Sequence, residues 1–330
     1  MKGLVIKSTG TSYEVYFQDG TIRNCRVKGN FRIRGIRSTN PVAIGDYVEV
    51  IQGNDSTPTN TTYWITEVYE RRNYIVRRST NLSYQAHILA ANIDLAALMV
   101  TINHPKTSTV FIDRFIATCE AYRVPVCLIF NKIDLLTEEE RQTLTSLRTL
   151  YEQIGYRTYA ISAINTDSED YQQLAQTLQQ GIILLSGNSG VGKSTLLNAI
   201  LGQEVTRTGT ISTAHNKGMH TTTFSEMYPL HSTRNAQCST SLLAPPSTNS
   251  WLIDTPGIKG FGVLDMQREE VGHYFREIFE VGRTCRYSDC VHIDEPGCAV
   301  CEAVKKGEIA FSRYESYLSM LEDITETKYR

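Results

Sequence analysis

Over roughly the first 75 residues, apolar and polar positions alternate in short stretches such as Leu4-Val5-Ile6, Tyr13-Glu14-Val15-Tyr16-Phe17 and Tyr47-Val48-Glu49-Val50-Ile51, separated by glycine and asparagine turns. A period of two predicts strands with one buried face, and several short strands in succession predict a small β-barrel. Further along the pattern changes. Val124-Pro-Val-Cys-Leu-Ile-Phe130, the stretch from Tyr156 to Ile161, Gly181-Ile-Ile-Leu-Leu-Ser186 and Trp251-Leu-Ile253 are apolar runs of strand length, and Ser194 to Ile200 continues with helical spacing. Such runs predict strands buried on both faces in an α/β domain. Towards the end the spacing is helical: Phe311, Tyr314, Tyr317, Leu318 and Leu321 recur at three- and four-residue intervals and are expected to make core contacts.

The strand ending at Ser186 runs into Gly187-Asn188-Ser189-Gly190-Val191-Gly192-Lys193-Ser194, followed by Thr195 and the helical pattern. Strand, glycine-rich loop and helix in that order form the context that distinguishes a phosphate loop from a chance match. Its backbone N–H groups and the helix N-terminus would cradle phosphates, Lys193 would reach the β/γ oxygens, and the Ser194 hydroxyl would ligate Mg²⁺. Alone, the loop would also suit an ATPase, a kinase or an ordinary glycine-rich turn. Asn131-Lys132-Ile133-Asp134 names the base. It closes the strand ending at Phe130, at the carboxyl edge where open α/β sheets bind ligands. The Asp134 carboxylate can accept from guanine N1–H and the exocyclic amine, whereas adenine offers no matching donor pair, so GTP is favoured over ATP. Ser162-Ala163 follows a further strand-like stretch and is similar to the segment whose backbone meets the guanine carbonyl, although Ser-Ala alone says little.

Asp254-Thr255-Pro256-Gly257 follows the last apolar strand. Asp254 would hold Mg²⁺ through water and the Gly257 amide would meet the γ-phosphate, ordering that loop only with GTP bound. The order is rotated, because the guanine motif precedes the phosphate loop. A circularly permuted P-loop GTPase domain follows from this order, with its phosphate-sensing half joined directly to whatever comes after residue 257. Position 258, where many GTPases carry a water-orienting glutamine, is Ile258, and an apolar side chain cannot orient a nucleophile. The first switch is expected at Lys217-Gly218-Met219-His220-Thr221-Thr222-Thr223. There Thr222 is the expected Mg²⁺ ligand, and His220 is the titratable side chain suited to positioning water, unless it is simply a solvated loop histidine.

Cys285, Cys290, His292 and Cys298 fall within fourteen residues in the spacing Cys-x4-Cys-x-His-x5-Cys. Three thiolates and an imidazole suit the closed shell of one structural Zn²⁺, with Cys301 a competitor for Cys298. Disulfides fit less well, since the chain starts Met1-Lys2-Gly3 without an apolar export segment and the other cysteines are scattered. Between positions 23 and 37 lie Arg23, Arg26, Lys28, Arg32, Arg34 and Arg37 with no acid among them and Phe31 interrupting the run, a surface that could track an RNA backbone or be only a solvated strand face.

Taken together, the permuted order, the His-Thr-Thr-Thr switch, the Asp-Thr-Pro-Gly loop and the cysteine-histidine spacing resemble the ribosome small subunit-dependent GTPases, the RsgA, YjeQ or YloQ family. Pro41 to Val50 and Arg77-Arg78-Ser79-Thr80 extend the likeness into the amino-terminal part. The resemblance implies an OB-type RNA-binding barrel over 1–80, the permuted GTPase over 81–264 and a mainly helical zinc-binding domain over 265–330. It also implies a GTPase that docks on a nearly mature small ribosomal subunit and its rRNA, is stimulated there, and leaves after hydrolysis. A GTP-dependent RNA-binding switch with little turnover stays open as the alternative because of Ile258.

Whole-chain numbers set limits. With 330 residues, 41% hydrophobic and 21% charged, the chain has ample core for two or three domains. A net charge of −2 gives no global attraction to nucleic acid, so RNA contacts would be focal. No apolar run is long enough for a membrane span and no targeting segment is visible, so a cytoplasmic protein, monomeric and without a membrane partner, is expected. Ser79 to Gln85 reads as a polar linker, and 235–249, rich in Ser, Thr and Pro, as a loop of unread role. If Asp134 reads guanine, Asp134→Asn will lower GTP affinity roughly 100-fold or more and raise that for xanthosine triphosphate. Competition binding checks this, and unchanged GTP affinity would contradict the role.

Overall fold

The computed structural model of the chain describes residues 1–27, 41–53, 61–78, 86–202, 226–230, 250–254 and 266–328. Among these, β1 (Lys2–Ser8), β2 (Tyr13–Phe17), β3 (Ile22–Val27), β4 (Tyr47–Gln52) and β5 (Tyr63–Val68) pair in the order β1-β2-β3-β5-β4, and β4 returns to β1. The sheet therefore closes into a barrel of the OB type, as the period-two pattern predicts, and closure leaves none of these strands with a bare edge. Inward positions such as Val5, Val15, Phe17, Cys25, Val48, Val50 and Ile65 fill it. An antiparallel pair, β6 (Tyr74–Arg78) with β7 (Ala86–Ala91), follows.

The barrel is seated by a glycine. Gly45 has φ +85 and a Cβ there would fall 2.1 Å from Ala91 O, so only glycine lets the barrel loop lie against the end of β7. Ile44 O accepts the Ala91 N–H at 2.8 Å, and Asn92 Nδ2 donates to Gly45 O at 2.9 Å. Next to it, Arg71 grips buried Asp46 through both carboxylate oxygens at 2.6 and 2.7 Å.

The central sheet contains β8 (Leu95–Val100), β9 (Val126–Phe130), β10 (Arg157–Ala160), β11 (Ile182–Gly187), β12 (Glu226–Pro229) and β13 (Trp251–Asp254), in spatial order β10-β9-β8-β11-β13-β12. All are parallel except β12. Their apolar runs alternate between two cores. Ala96, Leu98 and Val100 face α1 (Thr109–Ala121) and α2 (Glu138–Gln153), while Ala97 and Met99 face α3 (Glu169–Leu178) and α4 (Lys193–Leu201). Three of these helices begin on side-chain caps at Ser108, Thr137 and Ser168, and Thr137 forms a reciprocal capping box with Glu140. One ladder contact, Lys7 with Glu226, joins β1 of the barrel to β12, so the barrel and the central sheet are continuous while β6 and β7 stand as a separate pair.

The carboxyl-terminal part comprises a 3-10 segment (Arg268–Tyr274), α5 (Arg276–Gly282), α6 (Ala299–Lys306) and α7 (Phe311–Lys328). Its core of Val271, Phe275, Ile278, Val300, Tyr317, Met320 and Leu321 includes Ala117 of α1. Fully buried Arg313 holds the two parts together. Its guanidinium donates to Asp113 of α1 at 2.7 Å and to both oxygens of Glu277 at 2.6 and 3.1 Å, and Tyr151 of α2 donates to the same Asp113 oxygen at 2.8 Å. Tyr314, Tyr317, Leu318 and Leu321 belong to this core as expected, but Phe311 is 67% exposed. The reason is angular: Phe311 lies about 150° around α7 from the centre of the buried stripe of Arg313, Ser316, Tyr317, Met320 and Leu321. An apolar-residue pattern cannot register a stripe that starts with an arginine. No described helix is long and apolar enough to cross a membrane. Arg313→Ala would strand two carboxylates at this junction and should cost about 3–5 kcal/mol of stability. Equilibrium urea unfolding measures it.

Candidate nucleotide site and metal cluster

The carboxyl ends of β8, β9, β11 and β13 lie side by side, the position at which a parallel sheet can hold a ligand against loop backbone. From β11 the chain turns through Gly187 (φ +148), Gly190 (φ +82) and Gly192 (φ +106) into α4. Two of these glycines are required by close approach. A Cβ on Gly187 would lie 2.3 Å from Met99 O, and one on Gly192 would lie 2.3 Å from Asn131 Nδ2. Val191 is buried, Asn188 half-buried, and Ser189 and Gly190 exposed, with Ser194 and Thr195 half-buried in the first turn of α4. Lys193 folds back over the loop, its Nζ donating to Gly187 O at 2.7 Å and Asn188 O at 2.9 Å.

Asp254, at the end of β13, faces this lysine. Burial pulls the Lys193 amine below its ordinary value and pushes the Asp254 carboxyl above its own, and in each case the other's charge opposes the shift. Asp254 Oδ1 and Ser186 Oγ are buried with no hydrogen-bond partner among the described residues. An orphaned carboxylate oxygen and a half-buried amine, beside a glycine-rich loop that opens a helix, have the chemistry for a hard cation and a phosphate.

Asn131 joins the phosphate loop to the guanine motif. It is 3% exposed, donates to Val191 O at 2.8 Å and accepts the Ala163 N–H at 2.9 Å. One side chain thereby ties three segments that are far apart in the chain. Lys132 (φ +64) donates to Gly190 O at 2.7 Å and His104 O at 2.6 Å. Asp134 is exposed on a 3-10 turn (Ile133–Leu135), and Ser162 and Ala163 are buried beside it. The loop after β8, which brings His104 against Lys132, was not anticipated. Its only signal in the sequence is an apolar run, Leu95 to Val100, ending in a turn at the same sheet edge.

In the carboxyl-terminal part, the ligand atoms of Cys285, Cys290, His292 and Cys298 lie within 4.8 Å of one another, a cluster that could hold a metal ion. Cys285 Sγ is 3.9 Å from Cys298 Sγ, and each is 3.5 Å from His292 Nδ1. Burial pulls the His292 imidazole below its usual value, favouring the neutral ring that a metal requires. Burial and the neighbouring thiols push the Cys290 thiol up to about 12, a penalty that a bound cation would reverse. Glu295 shapes the turn by accepting from the Val291 and Ile293 N–H groups at 2.9 and 2.8 Å. Cys301 stands apart from the four, directed at the carbonyls of His292 and Ile293.

This arrangement has relatives. A family model described as RsgA GTPase matches residues 68–264, and one described as RsgA N-terminal domain matches residues 2–58. The chain belongs to the RsgA GTPase family. Among its relatives, the small ribosomal subunit biogenesis GTPase RsgA of Phocaeicola vulgatus is 54% identical over 330 residues, 100% of this chain and 99% of that one. Solved structures match as well, two of them over nearly the whole chain. YjeQ from Thermotoga maritima has a TM-score of 0.71 at 29% identity, covering 98% of each chain. YloQ, described as a circularly permuted GTPase, has a TM-score of 0.68 at 27% identity, covering 100% of this chain and 96% of that one. As a family member the chain is a GTPase, and its topology is permuted: β9, which carries the guanine motif, precedes β11, which carries the phosphate loop, while β8 lies between them in the sheet.

Several expected residues lie outside the described residues, namely His220, Thr222 and Gly257 of the switches and Lys28, Arg32, Arg34 and Arg37 of the basic run. Of that run, Arg26 is exposed on β3. Arg23 stacks on the rings of Phe17 and Tyr63, 4.9 and 5.0 Å from their centroids, and pairs with Asp19 at 3.2 Å. An acid from the preceding turn thus reaches a run that contains none of its own. Asn131→Ala would leave the Val191 carbonyl and the Ala163 N–H unpaired in a dry site. Its expected cost is about 1–3 kcal/mol of stability together with a roughly tenfold loss of GDP affinity, read by thermal unfolding and calorimetric titration.

Proposed function

We propose that this chain hydrolyses GTP during late maturation of the small ribosomal subunit, binding rRNA, responding to the subunit and leaving it after hydrolysis. The observation that carries the reading is the meeting of Asn131, Lys132, Lys193 and Asp254 at one sheet edge, in a chain matched over its full length by a small ribosomal subunit biogenesis GTPase. The loop amides of Gly187 to Ser194 take the phosphates, with Asn188, Ser189, Gly190, Val191, Gly192 and Thr195 completing the turn. Lys193 moves from its loop carbonyls to the β/γ oxygens. Asp134 reads the guanine donors and the Ser162-Ala163 backbone its carbonyl.

The unpartnered Asp254 Oδ1 suits Mg²⁺ held through water, with Ser194 and Thr222 as direct ligands and the Gly257 amide on the γ-phosphate. When bound, that ion neutralises charge developing on the phosphates. His220 orients the attacking water, the part that Ile258 cannot play. The four-residue cluster suits one structural Zn²⁺. Tetrahedral bonds of about 2.3 Å to sulfur and about 2.0 Å to nitrogen place sulfurs roughly 3.8 Å apart and sulfur roughly 3.5 Å from nitrogen, against 3.9 and 3.5 Å between Cys285, Cys298 and His292. Arg23, Arg26, Lys28, Arg32, Arg34 and Arg37 meet rRNA phosphates from the barrel. The chain works as three modules, 1–80, 81–264 and 265–330, as a cytoplasmic monomer.

GTP turnover by the purified protein, measured with and without small ribosomal subunits, tests this. A large stimulation that is selective for GTP over ATP and abolished by Lys193→Ala is expected. GTP binding with no stimulation would overturn the ribosomal reading in favour of a binding switch. In parallel, metal analysis should find one zinc per chain, lost in Cys285→Ser; retention of zinc in that variant would refute the ligand set.

A further inference from the structure

The loop between β8 and α1 contains no phosphate or guanine motif, yet it touches both. Lys132 Nζ bridges two carbonyls, Gly190 O in the phosphate loop at 2.7 Å and His104 O at 2.6 Å. His104 presents that carbonyl from a left-handed backbone, φ +61, as Lys132 does from φ +64. A non-glycine residue is uncommon in this conformation, and here the contacts that hold it are visible. Asn103 Oδ1 accepts the His104 N–H at 3.0 Å. Asn103 Nδ2 in turn donates to Glu140 Oε1 at 2.8 Å. Glu140 is anchored through its second oxygen, which accepts the Thr137 N–H at 2.9 Å in the capping box of α2. A chain of hydrogen bonds thus runs from the start of α2 through Asn103 and His104 to Lys132 and the phosphate loop.

We infer that Asn103 and Glu140 are positioning residues for the nucleotide site, setting the carbonyl that locates Lys132 and, through it, the phosphate loop at Gly190. The inference rests on the reading of 131–134 and 187–194 as the nucleotide site. Neither side chain need touch GTP, so their loss affects how well the site is formed before binding. The geometry separates this role from ordinary helix capping. A capping residue acts on α2 alone and predicts changes in stability without a change in nucleotide affinity.

Steady-state GTP turnover and equilibrium GDP binding, with thermal unfolding for each full-length variant, decide the matter. Asn103→Ala and Glu140→Ala should each raise KM for GTP and Kd for GDP by about 5- to 10-fold, with kcat changed less than about twofold. Glu140→Gln offers one acceptor to the two donors that Glu140 serves, Asn103 Nδ2 and the Thr137 N–H, so it should lose affinity much as Glu140→Ala does. Asn103→Asp sets a carboxylate against Glu140 and should lose affinity; combining it with Glu140→Gln returns a donor–acceptor pair and should recover most of the loss. This recovery also decides the question if the alanine variants fold poorly. On a Lys132→Ala background, Asn103→Ala should add little, because the bond it supports has already gone. Unchanged GDP affinity in Asn103→Ala, or losses that add fully to those of Lys132→Ala, would overturn the inference. If Lys193→Ala and Lys132→Ala both left GDP affinity intact, the site assignment itself would be refuted instead.

Discussion

The nucleotide site depends on one buried amide. Asn131 is sealed from water, so its donor and acceptor must find partners inside the protein or cost the fold their full desolvation. The partners it takes are the carbonyl of Val191 and the N–H of Ala163, one in the phosphate loop and one in the segment beside the guanine motif. This explains why Gly192 must be glycine: the amide occupies the space where its Cβ would stand. It also explains how a permuted chain keeps a site whose parts come in an unusual order. Hydrogen bonds across a sheet edge are indifferent to which strand came first.

Permutation shifts the problem to how the flanking parts are held. The barrel meets the central sheet through Gly45, whose lack of a side chain admits Ala91, and through the ladder contact of β1 with β12. The carboxyl-terminal helices are held by a buried arginine. Arg313 reaches Asp113 on α1, so the part that follows the last GTPase strand in sequence is fastened to a helix lying at the front of that domain. A buried ion pair gains little net stability over an apolar contact, but it tolerates few alternative geometries.

The metal cluster shows the same division between short-range and long-range order. Its four ligands come from one short stretch, and much of the local shaping is local too: Glu295 pins the turn, and Cys298 starts α6. What encloses the cluster comes from elsewhere. Tyr314 and Tyr317 of α7 donate to the carbonyls of His292 and Val291 at 2.7 and 2.6 Å, fastening the loop to the long helix.

Strand and helix periods, the phosphate loop, the guanine tetrapeptide and the cysteine-histidine spacing were all legible in the residue order. Each depends on neighbours within a few positions, where spacing alone decides which groups share a face or a turn. The partners of the buried polar groups were not legible in this way. Nothing in the pattern around Asn103, Asn131, Arg313 or Gly45 says which distant group each will meet, because burying a polar atom or removing a Cβ makes sense only once another element occupies the adjoining space. Phe311 illustrates the same limit: its spacing put it on the helix, but the stripe that α7 buries was chosen by Arg313 and by the helix across from it. Residue order sets the elements and the chemistry that they carry, because both are matters of near neighbours. Which of those groups face one another is settled in three dimensions, by how the sheet edge and the helix faces come together.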